Sequence, residues 1–246
     1  MSKTLLLSAL LGALVLATPS VGAQCVAQTT ADRLHLVELY TAEGCSSCPP
    51  AEHWMRSLRD SKTYIGLEFH VDYWDSLGWH DPFGDARYTA RQKVLARRGS
   101  RDVTYTPQVA VDGRVWKDWP KATPPSAADV PAPPLSLAVT MGEKISAKVT
   151  SSSGAELPSN YQVYVALTEN GLTSSVKAGE NRGKQLDHDL VVRDIAGPLA
   201  LSQADALLKP PHDFVPAKTT VVAFVQDSKN GDIVQALRLP LNQCNP

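Results

Sequence analysis

A cluster of prolines near the middle of the chain constrains the fold more than any other feature. Six of the 18 prolines lie within 15 residues and are separated mostly by Ala, Ser and Thr. They are Pro120, Pro124, Pro125, Pro131, Pro133 and Pro134. Proline fixes φ and lacks the N–H that helices and central strands need, so this segment predicts an extended, semi-rigid linker. We therefore expect a first domain at 31–119, a linker at 120–134 and a second domain at 135–246.

The segment before the linker alternates between strand and helix patterns. Its apolar spacing predicts two strands and two helices, in the order strand, helix, strand, helix, at 34–40, 51–58, 64–71 and 85–98. Asp112-Gly113 then separates two short strands and is typical of a two-residue hairpin turn. Strands separated by helices indicate parallel pairing, and the hairpin adds an antiparallel edge.

The segment after the linker is dominated by strand patterns. Seven are predicted, at 135–140, 144–150, 161–168, 173–177, 189–193, 219–226 and 232–239. The only helix expected here is a short one at 202–208. About seven short strands separated by turns favour a β-sandwich.

The first 23 residues have the pattern of a secretory signal peptide. Lys3 gives a positive start, an apolar run covers Leu5 to Ala17, and small residues end at Ala23. The run is too short for a membrane span, which needs about 20 residues. We expect an exported protein, periplasmic or secreted, with no membrane span after cleavage.

The composition excludes one class of partner. Lys and Arg number 24 against 25 Asp and Glu, which gives a formal net charge of -1. A protein that binds nucleic acid through bulk charge is strongly basic, so no nucleic-acid partner is predicted. The sequence assigns no cofactor and leaves the oligomeric state open.

Four cysteines allow three disulfide pairings, and export favours disulfides. Cys45 and Cys48 are three positions apart, whereas Cys25 and Cys244 lie near opposite ends of the mature chain. The simplest prediction is one local pair and one structural disulfide, Cys25–Cys244, that closes nearly the whole protein.

The segment Cys45-Ser46-Ser47-Cys48 follows a predicted strand and precedes a predicted helix. Backbone N–H groups at a helix N-terminus stabilise an anion, which favours the thiolate of a cysteine placed there. A second cysteine within reach resolves a mixed disulfide, so the context favours redox chemistry. Two alternatives stay open: a permanent structural disulfide, and a copper(I) or zinc site that adds His53, His70 or His80 to the thiolates.

Two further segments are candidates for substrate contact. Thr106-Pro107 precedes the hairpin, and a cis proline there would present free backbone groups to an extended substrate and keep metals from the cysteines. Trp74 and Trp79 belong to an aromatic cluster at 72–83 that either lines a substrate groove or packs over the sheet end.

The order of elements, the Cys-x-x-Cys after the first strand and Thr106-Pro107 before the hairpin resemble the thioredoxin fold. The chain is more similar still to an uncharacterised family of secreted bacterial proteins with a thioredoxin-like domain followed by a β domain. The matching stretches are Val37–Pro50, His70–Phe83, Tyr105–Gly113 and Glu180–Arg193. The resemblance implies an α/β thioredoxin-like domain followed by an all-β sandwich-like domain, with Cys45 attacking, Cys48 resolving and Pro107 in cis.

Two features depart from thioredoxin. The buried acidic residue that assists proton transfer there falls at Leu39, so the role is vacant or moves to Glu38 or Glu43. Pro49-Pro50 lacks two N–H groups, which predicts that the regular helix begins nearer Cys48 than Cys45.

The sequence thus predicts a thiol-disulfide oxidoreductase that acts on protein thiols or disulfides and exchanges electrons with a redox partner protein. The rivals are a metal-binding chaperone that uses the same cysteines and a binding module whose disulfide is structural.

Overall fold

The structure is a computed structural model that describes residues 24–29, 33–99, 102–121, 123–125 and 132–244. The predicted signal peptide, 1–23, lies outside the described residues, as does part of the predicted linker. The linker and the two domain boundaries therefore stay predictions. Within the described ranges, no helix is both long and apolar enough to cross a membrane.

Strands dominate the described chain, at 41% of residues against 17% in helices. The strands are β1 Gln24–Gln28, β2 His35–Thr41, β3 Tyr64–His70, β4 Gln108–Val111, β5 Arg114–Val115, β6 Leu135–Thr140, β7 Ile145–Ser151, β8 Tyr161–Glu169, β9 Leu172–Ser175, β10 Gln185–His188, β11 Val191–Ala200, β12 Asp205–Leu208, β13 Thr219–Asp227 and β14 Ile233–Pro240. The α-helices are α1 Pro49–Arg56 and α2 Ala86–Arg98. Short 3-10 helices cover Asp72–Leu77, Leu201–Gln203, Pro216–Lys218 and Leu241–Gln243.

The predicted fold class is wrong. Instead of an α/β thioredoxin-like domain followed by a separate all-β sandwich-like domain, one eight-stranded sheet runs in the order β14-β13-β8-β11-β3-β2-β4-β5. The join is β11, which pairs antiparallel with β8 and parallel with β3, where Val191 lies opposite Glu68. Strands from both sides of the proline cluster therefore share one sheet.

A shared apolar core explains why the two segments combine. On one face of the large sheet, α2 packs over a cluster that includes Phe69 from β3 and Phe224 from β13. Burial of apolar surface is the main favourable term in folding, and here it draws on strands from both segments. An independent first domain would leave the β3 edge of its sheet without the pairing that β11 provides.

The opposite face of the large sheet is covered by two different elements. Over β2, β3 and β4 it packs against α1, and over β8, β13 and β14 it packs against a four-stranded sheet, β1-β6-β7-β12. The predicted pairing of Cys25 with Cys244 is present and fastens β1 to the end of the chain.

Local expectations fared better than the fold class, although one predicted helix is absent. The helix expected at 202–208 is wrong, because Leu201–Gln203 forms a 3-10 turn and β12 follows as a strand paired with β7. As the two prolines predicted, α1 begins at Pro49 with Cys48 as its N-cap, so Cys45 lies outside the helix.

Candidate functional site

The cysteine pair lies between β2 and α1, at the end of the strand. Cys45 and Cys48 form a disulfide and both side chains are fully buried, at 0% exposure. The intervening Ser46 and Ser47 are exposed, and the Ser47 hydroxyl lies 3.4 Å from the Cys45 sulfur. The turn therefore shields the disulfide and places a hydroxyl beside Cys45.

Trp74 connects the cysteine turn to the segment before β4. Its side chain packs against the core that contains both cysteines, a Cβ added at Gly44 would lie 3.2 Å from its Cβ, and its indole N–H donates to the Thr106 hydroxyl at 2.8 Å. The Thr106–Pro107 peptide bond is cis, as expected. Next to it, an open groove is lined by Pro107 and three aromatic side chains: Tyr105, Trp116 and Trp119.

The loop between β9 and β10, residues 176–184, covers the cysteine turn. The buried Asn181 amide donates to the backbone carbonyls of Glu43 and Cys45, both at 2.9 Å. The Glu180 carboxylate accepts from the Ser46 backbone N–H at 2.9 Å and from its hydroxyl at 2.7 Å. We call residues 176–184 the covering loop.

Beneath the covering loop, the Glu43 carboxylate joins several elements. It accepts from the Trp79 indole N–H at 2.6 Å and from the Ser174 hydroxyl of β9, and lies 3.1 Å from Nε2 of His188. Trp79 is therefore held by a buried carboxylate and forms part of the interior network.

A second set of buried polar groups follows on β3. His70 lies 2.8 Å from Asp81 through Nδ1 and 3.2 Å from Glu68 through Nε2. Glu52 of α1 accepts from the Thr41 hydroxyl at 2.5 Å. Because Glu68 and His70 are two positions apart on a strand, they face the same side, toward α1.

The titrating groups of this interior are strongly perturbed. Burial alone would lower the pKa of His70, but the charge of Asp81 and hydrogen bonds to Asp81 and Glu68 raise it to about 10. Burial also opposes the charge on His188, yet its hydrogen bond with Glu43 and the nearby carboxylates of Glu52 and Glu68 raise its pKa to about 12. Burial would raise the pKa of Asp81 and Glu68, but the neighbouring imidazoles lower both.

The residues proposed for the metal and proton-transfer alternatives are dispersed. The side chains of His53 and His80 are exposed, and His80 pairs with Asp75, whereas His70 is buried. Glu38 does not reach the cysteines through its carboxylate, which pairs with Arg91 at 2.6 Å. Of the acidic groups considered from sequence, Glu43 is the one whose own backbone adjoins the cysteine turn.

Several residues of this interior were not predicted: Glu52, Glu68, Asp81, Ser174, Asn181 and His188. A usable signal was the placement of Glu68 within an otherwise apolar strand, since charged residues are rarely buried unless paired. No comparable signal marks Glu52, because a charged residue early in a helix is usually exposed.

A family of proteins shares the part of the chain that contains this site. Residues 36–226, which include the cysteine turn, the covering loop and the buried network, match the description "Protein of unknown function (DUF1223)". The chain belongs to the DUF1223 family. None of the curated proteins matches it.

Two solved structures resemble this DUF1223 protein. One is the X-ray crystal structure of protein AGR_C_4864 from Agrobacterium tumefaciens, with a TM-score of 0.57, 24% identity and coverage of 89% of this chain and 99% of that one. The other is HBP35 of Porphyromonas gingivalis, with a TM-score of 0.60, 17% identity and coverage of 88% of this chain and 78% of that one. At these identities the likeness supports the fold alone.

Proposed function

We propose that this protein is an exported thiol-disulfide oxidoreductase that acts through the Cys45–Cys48 pair. The observation that carries the proposal is a two-residue-spaced disulfide at the start of α1, next to Trp74 and the Thr106-Pro107 segment. Its mechanism does not depend on a thioredoxin-like fold.

The exchange proceeds in two balanced steps. A substrate thiolate attacks the Cys45 sulfur, a substrate–Cys45 disulfide forms, and the Cys45–Cys48 bond breaks to release the Cys48 thiolate. A second substrate thiolate then attacks the substrate sulfur and releases Cys45, so the substrate is oxidised and the pair is reduced. The reverse sequence reduces a substrate disulfide, and the redox partner protein sets the direction.

The surroundings of Cys45 support its role as the attacking sulfur. The Ser47 hydroxyl, 3.4 Å away, is placed to donate to a thiolate on Cys45. Hydrogen bonding to the charged form of a group favours that form. Cys48, at the N-cap of α1, lies closer to the helix and resolves the mixed disulfide.

Burial of both cysteines adds a requirement to the mechanism. A substrate sulfur reaches Cys45 only after the Ser46–Ser47 turn separates from the covering loop. The contacts that must open are those of Glu180 with Ser46 and of Asn181 with the Cys45 carbonyl. Exchange is therefore gated by the covering loop, and Trp74, Trp79, Thr106 and Pro107 stay predictions as substrate contacts.

Trapping the intermediate tests the proposal. The reduced Cys48→Ser variant, with Cys25–Cys244 intact, is incubated with oxidised glutathione, and peptide mass spectrometry locates the adduct. We expect a mixed disulfide to accumulate on Cys45, because the resolving thiol is absent. Wild-type protein in the same reaction should instead return to the Cys45–Cys48 disulfide and release reduced glutathione.

The matched control is Cys45→Ser, which should form little adduct at Cys48. Full exchange activity in Cys45→Ser, or a Cys48→Ser variant without adduct, would contradict the proposal. The latter result would favour the rival in which the buried disulfide is structural and the protein is a binding module.

A further inference from the structure

Four buried side chains place donor atoms around one point beside α1. They are Glu52, Glu68, His70 and His188, and their donor atoms all lie within 4.8 Å of one another. They come from α1, β3 and the end of β10, so three elements meet there. Each of the four residues is at most 4% exposed.

One donor in this cluster has no satisfactory partner within the described residues. Nδ1 of His188 is buried and makes no hydrogen bond, and the nearest carboxylate oxygens, on Glu52 and Glu68, are 3.5 Å and 3.7 Å away. A buried nitrogen without a hydrogen-bond partner destabilises the folded state. The atom is aimed at the same point as the two carboxylates, which is the arrangement of an incomplete ligand set.

Three of the six separations between donors are close to those around a tetrahedral ion. Four ligands at typical zinc distances are about 3.3 Å apart. The observed pairs are 3.2 Å for His70 Nε2 and Glu68 Oε1, and 3.5 Å and 3.7 Å for His188 Nδ1 with the two glutamates. Two imidazoles and two carboxylates also suit zinc, which accepts nitrogen and oxygen ligands.

The groups behind the donors are those that orient metal ligands. Each histidine directs its other ring nitrogen to a carboxylate, His70 to Asp81 and His188 to Glu43. Glu52 has its second oxygen held by Thr41. Carboxylate–histidine pairs of this kind fix the ring orientation and raise the basicity of the ligand.

We propose that Glu52, Glu68, His70 and His188 form a structural zinc site that is separate from the cysteines. The site ties β10, and with it the covering loop, to α1 and β3. Its donors are all nitrogen and oxygen, so it is available while Cys45–Cys48 remains a disulfide. It is independent of the proposed exchange reaction.

Zinc binding to the oxidised wild-type protein tests the site. After removal of metal with a chelator, we expect one zinc ion per chain by elemental analysis and calorimetry. Cobalt(II) in place of zinc should give the visible absorption of a tetrahedral ion without a thiolate charge-transfer band. A folded wild-type protein that binds no zinc, or a cobalt spectrum with a thiolate band, would overturn the proposal.

Variants assign the ligands. Glu68→Gln keeps the size of the side chain but removes a carboxylate ligand. It should reduce zinc affinity by more than about 100-fold, which exceeds the loss typical for residues that only hydrogen-bond to a ligand. Asp81→Asn, behind His70, should weaken binding about 10- to 100-fold. Thermal unfolding of each metal-free variant establishes that it is folded.

Two controls should leave binding unchanged. His80→Gln alters an exposed histidine, and the double variant Cys45→Ser, Cys48→Ser removes the thiols of the alternative metal site. Unchanged affinity in folded Glu68→Gln, or loss of binding in the cysteine variant, would overturn the assignment. Because the zinc test uses the oxidised protein, its failure is distinguishable from failure of the exchange reaction.

Discussion

At the residue scale, Glu180 is one of two side chains, with Asn181, that tie the covering loop to the cysteine turn. Hydrogen bonds from the backbone N–H and hydroxyl of Ser46 lower the pKa of Glu180. A lowered pKa means that the contact favours the carboxylate and is fully present above the ordinary pKa of a glutamate. It is lost as the pH falls through the lowered value.

This tether predicts a pH-dependent difference in access to the disulfide. At neutral pH, we expect Glu180→Gln to be reduced faster at Cys45–Cys48 by a phosphine than wild type, because the loop opens more often. The ratio of the two rates should fall toward one as the pH drops through the pKa of Glu180. Thiol labelling followed by mass spectrometry measures the rates, and Glu156→Gln, an exposed glutamate, is the control. A ratio near one at every pH would show that Glu180 does not limit access.

Sequence reasoning named the cysteines and some of their neighbours, Glu43, Trp74 and Thr106-Pro107, but not the buried groups beneath the covering loop. Cys45 and Cys48 stand out because a Cys-x-x-Cys motif between a strand and a helix is typical of only a few kinds of site: a redox pair, a structural disulfide or a metal site. Asn181 and His188 gain their roles only from folding, because each contacts Glu43 from more than 100 positions away. No local pattern records such a contact.

At the element scale, two turns from opposite sides of the proline cluster pack together. Gly113, in the β4–β5 turn, has φ of 82°, and a Cβ added there would collide with the backbone carbonyl of Gly231 between β13 and β14. The Ile233 N–H also donates to the Asp112 carbonyl at 3.0 Å. This contact joins the β4–β5 hairpin to the turn between β13 and β14.

Alanine substitutions at Gly113 and Gly154 distinguish the free-energy cost of a positive φ from the cost of a steric collision. Gly154 also has positive φ, at 70°, but open space around it. We expect Gly154→Ala to lower the free energy of unfolding by about 1–2 kcal/mol, the cost of left-handed backbone. Gly113→Ala should cost about 1–3 kcal/mol more, because backbone must move. Urea unfolding measures both, and equal losses would contradict the packing of the two turns.

In the β9–β10 hairpin, one strand was predicted from the sequence and the other was not. The strand predicted at 173–177 corresponds to β9, but β10 was missed. Its four residues, Gln185–His188, contain one apolar side chain, and alternation over so short a stretch gives little signal. The buried His188 therefore entered no sequence-based site.

At the scale of the whole molecule, most strands were predictable and their arrangement was not. Periodicity located the strands that became β2, β3, β8 and β13, because each buries an apolar face. It does not state which strands pair. The join between β11 and β3 depends on a single parallel register, Val191 with Glu68, between residues more than 100 positions apart. The proline cluster gave no indication that strands on its two sides share one sheet.

The reduction potential of Cys45–Cys48 tests the central claim most directly. The protein is equilibrated with a series of dithiol and glutathione buffers, and labelling followed by mass spectrometry quantifies the reduced pair. Resistance of Cys25–Cys244 in the same samples provides an internal reference. We expect a potential above about -300 mV, as for a pair that exchanges with other thiols. A value far below about -300 mV would contradict the account and identify the disulfide as structural.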